Sequence, residues 1–258
     1  MLEVRNLRKV YGEEPGGYVA LEGISIDIAA GEFLCLLGPS GCGKSTLLNI
    51  LAGFEEVSAG SVMFDGRPVK GADRDRMMFF QDAGSALLPW LTVEENVRFA
   101  LRARRVPRSQ WDDIITRYLS MVDLNNHRTK FPAELSGGMR QRLQIARALA
   151  VEPRVLLMDE PFAALDAMIR RRMHAILTDI WQRSGQTIVF VTHDIAEAIA
   201  LADRIAIMSV GPCSSFMKIM DVKGARPRDM GDPASSAMFA EIERLLTPEI
   251  RRSEERLG

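Results

Sequence analysis

The sequence predicts an α/β fold in which helices surround a mostly parallel β-sheet. Short apolar segments alternate with segments of helical spacing over much of the chain, and such alternation is typical of β-α-β units. The segment at residues 32–37 (EFLCLL) is almost continuously apolar, as expected of a strand buried on both faces. A glycine-rich loop and a helical segment at residues 44–52 follow it directly.

The remaining elements are assigned in order. Predicted strands lie at residues 2–10, 21–28, 32–37, 61–64, 77–80, 155–158, 187–191 and 204–209. Predicted helices lie at residues 44–52, 93–104, 110–122, 137–150, 167–183 and 194–201, and again from 233 onward. Because residues 83–150 are mainly helical, we expect them to form an inserted helical subdomain within one domain at 1–230, followed by a helical tail at 231–258.

The composition excludes several classes of protein. The 258 residues carry 33 Lys+Arg and 34 Asp+Glu, which argues against a protein whose main role is to bind nucleic acid. We find neither a long apolar membrane span nor a signal peptide. The cysteines Cys35, Cys42 and Cys213 fit neither a disulfide framework nor a zinc motif, and they suit a reducing, cytoplasmic setting.

The strongest motif is GPSGCGKS at residues 38–45, which matches GxxxxGK[ST] between a strand and a helix. Its backbone N–H groups and the helix start can face a phosphate chain. Lys44 can reach the β- and γ-phosphates, and Ser45 can ligate Mg²⁺. The candidate nucleotide-binding residues here are Gly38, Pro39, Ser40, Gly41, Cys42, Gly43, Lys44, Ser45 and Thr46. Because N–H groups and Lys44 surround Cys42, we expect its thiolate to be favoured and ATP to protect it from a maleimide; the alternative is a buried, inert thiol.

Two further motifs carry chemistry. The apolar strand at 155–158 ends in Asp159 and Glu160. Asp159 could hold Mg²⁺, and Glu160 could act as the general base. The sequence LSGGMRQR at 135–142 begins a helix with a serine cap and two glycines, which makes a second anion site. With this signature the sequence resembles, over residues 1 to about 210, the ATP-binding subunits of ABC transporters.

The resemblance implies a P-loop NTPase core, an N-terminal antiparallel β subdomain, and ATP and Mg²⁺ as ligands. It places Gln81 at the Q-loop, as a metal ligand and catalytic residue, and His193 at the switch position, also as a catalytic residue. Lys44 and Glu160 complete the expected catalytic set. It also implies a clamp of two subunits, in which residues of one act in trans on the other's ATP: Ser136, Gly137, Gly138 and Asp166. Tyr11 is the expected adenine-stacking ring, with Tyr18 as the alternative.

Three segments narrow the resemblance to the nitrate/sulfonate/taurine import ATPases: FQD with LLPW within residues 80–90, VTHDIAEA at 191–198 and RPRD at 226–229. The resemblance implies a homodimer at the cytoplasmic face of the inner membrane, bound to permease subunits and served indirectly by a solute-binding protein. Residues 84–86 lengthen the Q-loop segment, which in the family faces the permease. The alternative is a soluble ABC-type ATPase without a permease. The solute, whether the ATPase partner is identical or a paralogue, and the role of the tail stay open.

Overall fold

A computed structural model of the chain describes residues 1–13, 16–80, 86–163, 165–226 and 228–257. The chain forms two compact units, Met1–Asp73 with Thr187–Gly258, and Arg74–Gln186. Among the described residues, none of the helices combines the length and apolar character needed to span a bilayer.

The strands and helices follow the predicted order closely. The strands are β1 Leu2–Tyr11, β2 Tyr18–Ile28, β3 Phe33–Leu37, β4 Ala59–Phe64, β5 Arg67–Pro68, β6 Arg76–Phe79, β7 Val155–Asp159, β8 Thr187–Thr192, β9 Arg204–Met208 and β10 Phe216–Asp221. The helices are α1 Lys44–Ala52, α2 Val93–Ala103, α3 Trp111–Met121, α4 Gly137–Ala150, α5 Ala167–Ser184, α6 Ile195–Leu201 and α7 Pro233–Leu257.

The first unit contains two groups of strands. The order β2-β1-β4-β5 forms an antiparallel sheet, which confirms the expected N-terminal β subdomain. Strand β3 runs parallel to both β8 and β9, and β10 pairs antiparallel with β9. Every residue of β3 and β8 is buried, as expected of nearly continuous apolar strands that are covered on both faces.

The end of helix α6 is capped by the arginines of the RPRD segment. Arg226 donates from Nε to the carbonyl of Leu201 at 2.9 Å. Arg228 donates from Nη1 to the carbonyls of Ile199 and Ala202 at 2.9 and 2.7 Å. These carbonyls have no partner within the helix, so the two cations satisfy them and complement the helix dipole.

The tail helix α7 packs within the first unit. Ile242 and Leu246 are buried in it, and so is Glu249. The Glu249 carboxylate accepts from the backbone N–H of Val210 at 2.7 Å and from Arg252 at 2.8 Å. The tail is thereby tied to the loop that follows β9.

The second unit combines the parallel pair β6–β7 with helices α2 to α5. Helices α2 and α3 both contact α4. At the start of α2 the side chain of Asn96 is fully buried. Its amide donates to the carbonyls of Leu88, Leu91 and Thr92 at 3.0–3.1 Å, and its oxygen accepts from the Leu88 N–H at 3.0 Å. Asn96 therefore fixes the loop that carries Trp90.

Candidate nucleotide-binding site

The glycine-rich loop sits between buried β3 and α1, as the sequence predicts. Gly43 is the N-cap of α1 with a left-handed φ of 89°, and no side chain caps this end within the part of the chain described. Gly38 has no room for a side chain, because an added Cβ would lie 2.8 Å from Cys42 Sγ and 3.0 Å from the Met208 carbonyl oxygen. The uncapped N–H groups make this helix start an anion site.

Lys44 is folded back over the loop that precedes it. Its side chain is buried, and Nζ donates to the carbonyls of Gly38 and Pro39 at 2.8 and 2.7 Å. The ammonium is therefore held at the loop by neutral acceptors. A phosphate oxygen offers the same cation a charged acceptor, and charge-assisted hydrogen bonds are the stronger kind.

The expectation of a favoured Cys42 thiolate is wrong. The side chain is only 1% exposed, packed against the side-chain-free Cα of Gly38. Burial raises the pKa of the thiol and outweighs the opposing effect of Lys44, whose Nζ lies 3.6 Å from Sγ. Cys35 is also buried and burial raises its pKa well above the usual value, whereas Cys213 is exposed.

Both candidate tyrosines lie beside the loop. Tyr11 and Tyr18 are directly opposite each other in the β1–β2 pairing, and their side chains are 41% and 51% exposed. The Tyr11 hydroxyl is 3.3 Å from Thr46 Oγ1 in the first turn of α1. The Tyr18 hydroxyl packs close to Gly211, because a Cβ atom added to that glycine would lie only 2.8 Å from the hydroxyl oxygen.

Two further predicted residues of the first unit are Ser45 and His193. Ser45 is exposed in the first turn of α1, and His193 is exposed between β8 and α6. The first unit therefore brings the loop, both tyrosines and the switch histidine together in one compact body.

The acidic pair lies in the second unit, at the end of buried β7. Asp159 is 7% exposed. Glu160 adopts a left-handed φ of 43°, a conformation that costs energy for any residue other than glycine and that clusters at functional sites. Glu160, the predicted general base, is one of seven non-glycine residues with a positive φ in the described part of the chain.

The signature residues begin α4. Ser136 is the N-cap, and its side chain accepts from the Met139 N–H at 3.2 Å. Ser136 and Gly137 are exposed, and an added Cβ at Gly137 would meet nothing within 4 Å. An added Cβ at Gly138 would make only ordinary contact, 3.6 Å from Leu165. This helix start is thus open to a ligand.

Two other predicted positions have different outcomes. Asp166 is exposed and caps α5 by accepting from the N–H groups of Met168 and Ile169, each at 3.0 Å. Gln81 lies outside the described residues. Sequence reasoning missed Gln144, a buried side chain on α4 that donates to the carbonyl of Phe80 at 2.9 Å and so anchors the residue before Gln81. The signal available in the sequence was a glutamine at an inward-facing position of the predicted helix at 137–150.

The donor types suit Mg²⁺. Ser45 and Asp159 offer a hydroxyl and a carboxylate, and Mg²⁺ usually takes one or two such oxygens together with phosphates and waters. No group of three or more His, Cys, Asp or Glu side chains is arranged for a metal among the described residues, so a metal site built from protein ligands alone is not indicated there.

Comparison with known proteins identifies the family of this chain. The family model described as ABC transporter matches residues 21–163. The nitrate import ATP-binding protein NrtD of Synechococcus elongatus is 39% identical over 236 residues, 91% of this chain and 85% of that protein. The bicarbonate transport ATP-binding protein CmpD of Synechocystis sp. is 43% identical over 238 residues, 90% of this chain and 84% of that one.

Solved structures that resemble this chain indicate the same family. The dimeric structure of MJ0796, described as a bacterial ABC transporter cassette, is 31% identical, has a TM-score of 0.77 and covers 87% of this chain and 100% of its own. A post-hydrolysis state of MJ0796 bound to ADP and Pi gives a TM-score of 0.76 at 30% identity, with the same coverage of both chains. The chain therefore belongs to the ABC transporter family of ATP-binding subunits, with the P-loop NTPase fold and the ATPase activity of that family.

Proposed function

We propose that this chain is the ATP-hydrolysing subunit of an ABC importer of the nitrate/sulfonate/taurine type. The observation that carries the proposal is its likeness along nine-tenths of its length to two subunits named for import of nitrate and transport of bicarbonate. Both named solutes are small anions. The solute itself is selected by the permease and a solute-binding protein, since the ATPase does not touch it.

The proposed chemistry assigns each residue a task. Lys44 exchanges its loop carbonyls for the β- and γ-phosphates of ATP, and the N–H groups at the start of α1 bind the same phosphates. Ser45, Asp159 and Gln81 would hold Mg²⁺, which neutralises charge that develops on the phosphates. Glu160 accepts a proton from the attacking water. We assign His193, at the switch position, a catalytic role at the γ-phosphate.

We propose that two copies of the chain form the working ATPase. Ser136, Gly137 and Gly138 lie at an exposed helix start, which supports a role toward ATP bound by the other copy. We propose that Asp166 also acts on the ATP bound by the other copy, although its carboxylate caps α5 within its own chain. The dimeric MJ0796 cassette is consistent with such an arrangement.

A groove in the second unit supports a permease partner. It measures about 620 Å³ and is lined by Trp90, Thr92, Phe99, Arg102 and Arg128, among others. Trp90 is 69% exposed and Phe99 50%, and two exposed aromatic rings that line one groove form the kind of apolar patch that marks protein–protein interaction sites. We propose that a short cytoplasmic helix of the permease docks here, with apolar anchors on the two rings. The ATPase would then sit peripherally at the cytoplasmic face of the inner membrane.

The second candidate function is a soluble ABC-type ATPase that works without a permease, for instance on nucleic acid. The balance of 33 basic and 34 acidic residues argues against a nucleic-acid partner. An exposed Trp90 and Phe99 along one groove favour a protein partner instead.

Co-purification of the chain with membrane partners, followed by identification of a permease among them, tests the proposal. Trp90→Ala should reduce capture by the detergent-solubilised permease at least tenfold, because a buried aromatic anchor contributes about 2 kcal/mol or more to an interface. ATP hydrolysis by the isolated subunit should be unchanged. Ile250→Ala, which truncates an apolar side chain exposed on α7, is the control. Wild-type chain that fails to bind the permease, yet hydrolyses ATP, would favour the soluble alternative.

A further inference from the structure

A set of polar side chains holds the hydroxyl end of Tyr11. The hydroxyl donates to Glu55 Oε2 at 2.6 Å and lies 3.3 Å from Thr46 Oγ1. Because its single proton goes to Glu55, the tyrosine oxygen accepts from the Thr46 hydroxyl. The far end of the ring is thus fixed between a carboxylate and the first turn of α1.

Glu55 is itself fixed by two other side chains. Its Oε1 accepts from Asn49 Nδ2 at 3.1 Å, and its Oε2 lies 3.3 Å from Lys9 Nζ. Burial acts to raise the pKa of Glu55, but the hydrogen bonds from Tyr11, Asn49 and Lys9 outweigh it and lower that pKa. Burial, and then the bond to Glu55, raise the pKa of Tyr11. The carboxylate therefore remains the acceptor and the phenol the donor at neutral pH.

Lys9 also covers one face of the tyrosine ring. Its Nζ lies 4.9 Å from the ring centroid and donates to the carbonyl of Glu56 at 2.9 Å. A cation over one face is attracted to the ring and leaves the opposite face for a flat partner. Tyr11 is 41% exposed, so the ring is both anchored and accessible.

We propose that Glu55 is a positioning residue for the adenine base of ATP, because it sets the orientation of the Tyr11 ring before the nucleotide binds. The inference rests on the proposed stacking of adenine on Tyr11. A ring that is already ordered loses less rotamer freedom on binding, which strengthens the complex without any new contact. Glu55 thereby acts on ATP through Tyr11 and not by touching the base.

The test measures ATP binding to the full chain by calorimetry without Mg²⁺, so that hydrolysis is prevented. Tyr11→Ala should weaken binding about tenfold, the scale of one base–aromatic stack. Glu55→Ala and Tyr11→Phe should each weaken it about threefold, the scale of one hydrogen bond. In the double variant Tyr11→Ala/Glu55→Ala, binding should be no weaker than in Tyr11→Ala alone. Glu56→Ala removes the same charge at the adjacent exposed position and should change nothing.

Each result decides a different point. Should Tyr11→Ala weaken binding while Glu55→Ala does not, stacking stands and the role of Glu55 is refuted. An equal loss from Glu55→Ala with and without the Tyr11 ring would also refute it, because Glu55 would then act independently of Tyr11. A Tyr11→Ala variant that binds like wild type would overturn the stacking itself, and Tyr18→Ala would then be examined. Were Glu55→Ala to unfold, Glu55→Gln keeps the size and one acceptor oxygen, and the same non-additivity with Tyr11→Ala is required of it.

Discussion

Asn96→Asp offers a sharp test of how the second unit holds the loop at residues 88–92. The substitution changes the amide NH₂ to an oxygen and keeps the shape. The acceptor that receives the Leu88 N–H at 3.0 Å remains. The donor that serves three carbonyls at 3.0–3.1 Å is replaced by an oxygen that faces all three. A fully buried carboxylate would then lie among acceptors.

The expected cost follows from these contacts. An uncompensated buried charge costs about 3–5 kcal/mol of unfolding free energy. Since one pKa unit corresponds to about 1.4 kcal/mol, a cost near 4 kcal/mol would raise the carboxyl pKa of Asp at this position from about 4 to about 7 in the folded state. The folded state then binds more protons than the unfolded state between these values, so stability falls as the pH rises through that window. The loss relative to wild type should be largest above about pH 7 and smallest near pH 4.

Urea unfolding followed by circular dichroism at pH 5 and pH 8 checks both the size and the sign. Asn125→Asp is the matched control, because the Asn125 oxygen accepts from Arg128 Nε at 2.8 Å and a carboxylate suits that contact; we expect a change within about 0.5 kcal/mol. Asn96→Ala should lose about 2–3 kcal/mol with no added pH dependence. The reasoning is refuted if Asn96→Asp matches wild type at pH 8, or if its loss grows as the pH falls.

Three further outcomes are expected. Glu160→Gln should lower ATP hydrolysis at least about a hundredfold and retain ATP binding, with a dimer on size exclusion; a wild-type rate would contradict the general-base role. Ser136→Arg should leave monomer ATP binding intact but abolish hydrolysis, and mixing it with Lys44→Ala should restore part of the activity, since one composite site is then free of both changes; lost monomer binding would argue against action in trans. In maleimide labelling followed by mass spectrometry, Cys213 should react first and Cys42 slowly, because Cys42 is 1% exposed and burial raises its pKa; rapid Cys42 labelling would contradict the buried geometry.

Where one local signal dominates, the sequence predicts the structure well. Helix α4 begins and ends at the predicted residues 137 and 150, because Ser136 is a strong N-cap and the apolar spacing behind it is regular. The tail helix likewise begins at the predicted Pro233. The buried strands β3 and β8 are nearly continuous apolar runs, so their positions could hardly be mistaken.

Long-range packing was beyond the sequence. Strand β10 went unpredicted. Within the described parts of the chain it pairs only with β9, and only Met220 of its six residues is buried, which leaves no alternating pattern to find. Cys42 was misjudged because its side chain is buried against Gly38 and burial outweighs the effect of Lys44 on its pKa, whereas the local sequence shows only the nearby N–H groups and the lysine. The partnership of Tyr11 with Glu55 joins residues 44 positions apart, and nothing in either local sequence announces it.

The contact between Glu249 and Val210 has a thermodynamic consequence. The next residue, Gly211, lies beside the phosphate loop, where an added Cβ would be 3.7 Å from the Gly41 carbonyl oxygen. Helix α7 and the phosphate loop thus both lie next to the same short stretch of backbone, Val210 and Gly211. Binding free energies are reciprocal: by whatever factor release of α7 alters the affinity for ATP, ATP alters the docking of α7 by that same factor. If a tag or a protein that binds α7 changes the affinity for ATP, ATP therefore changes the affinity for that tag or protein by the same factor.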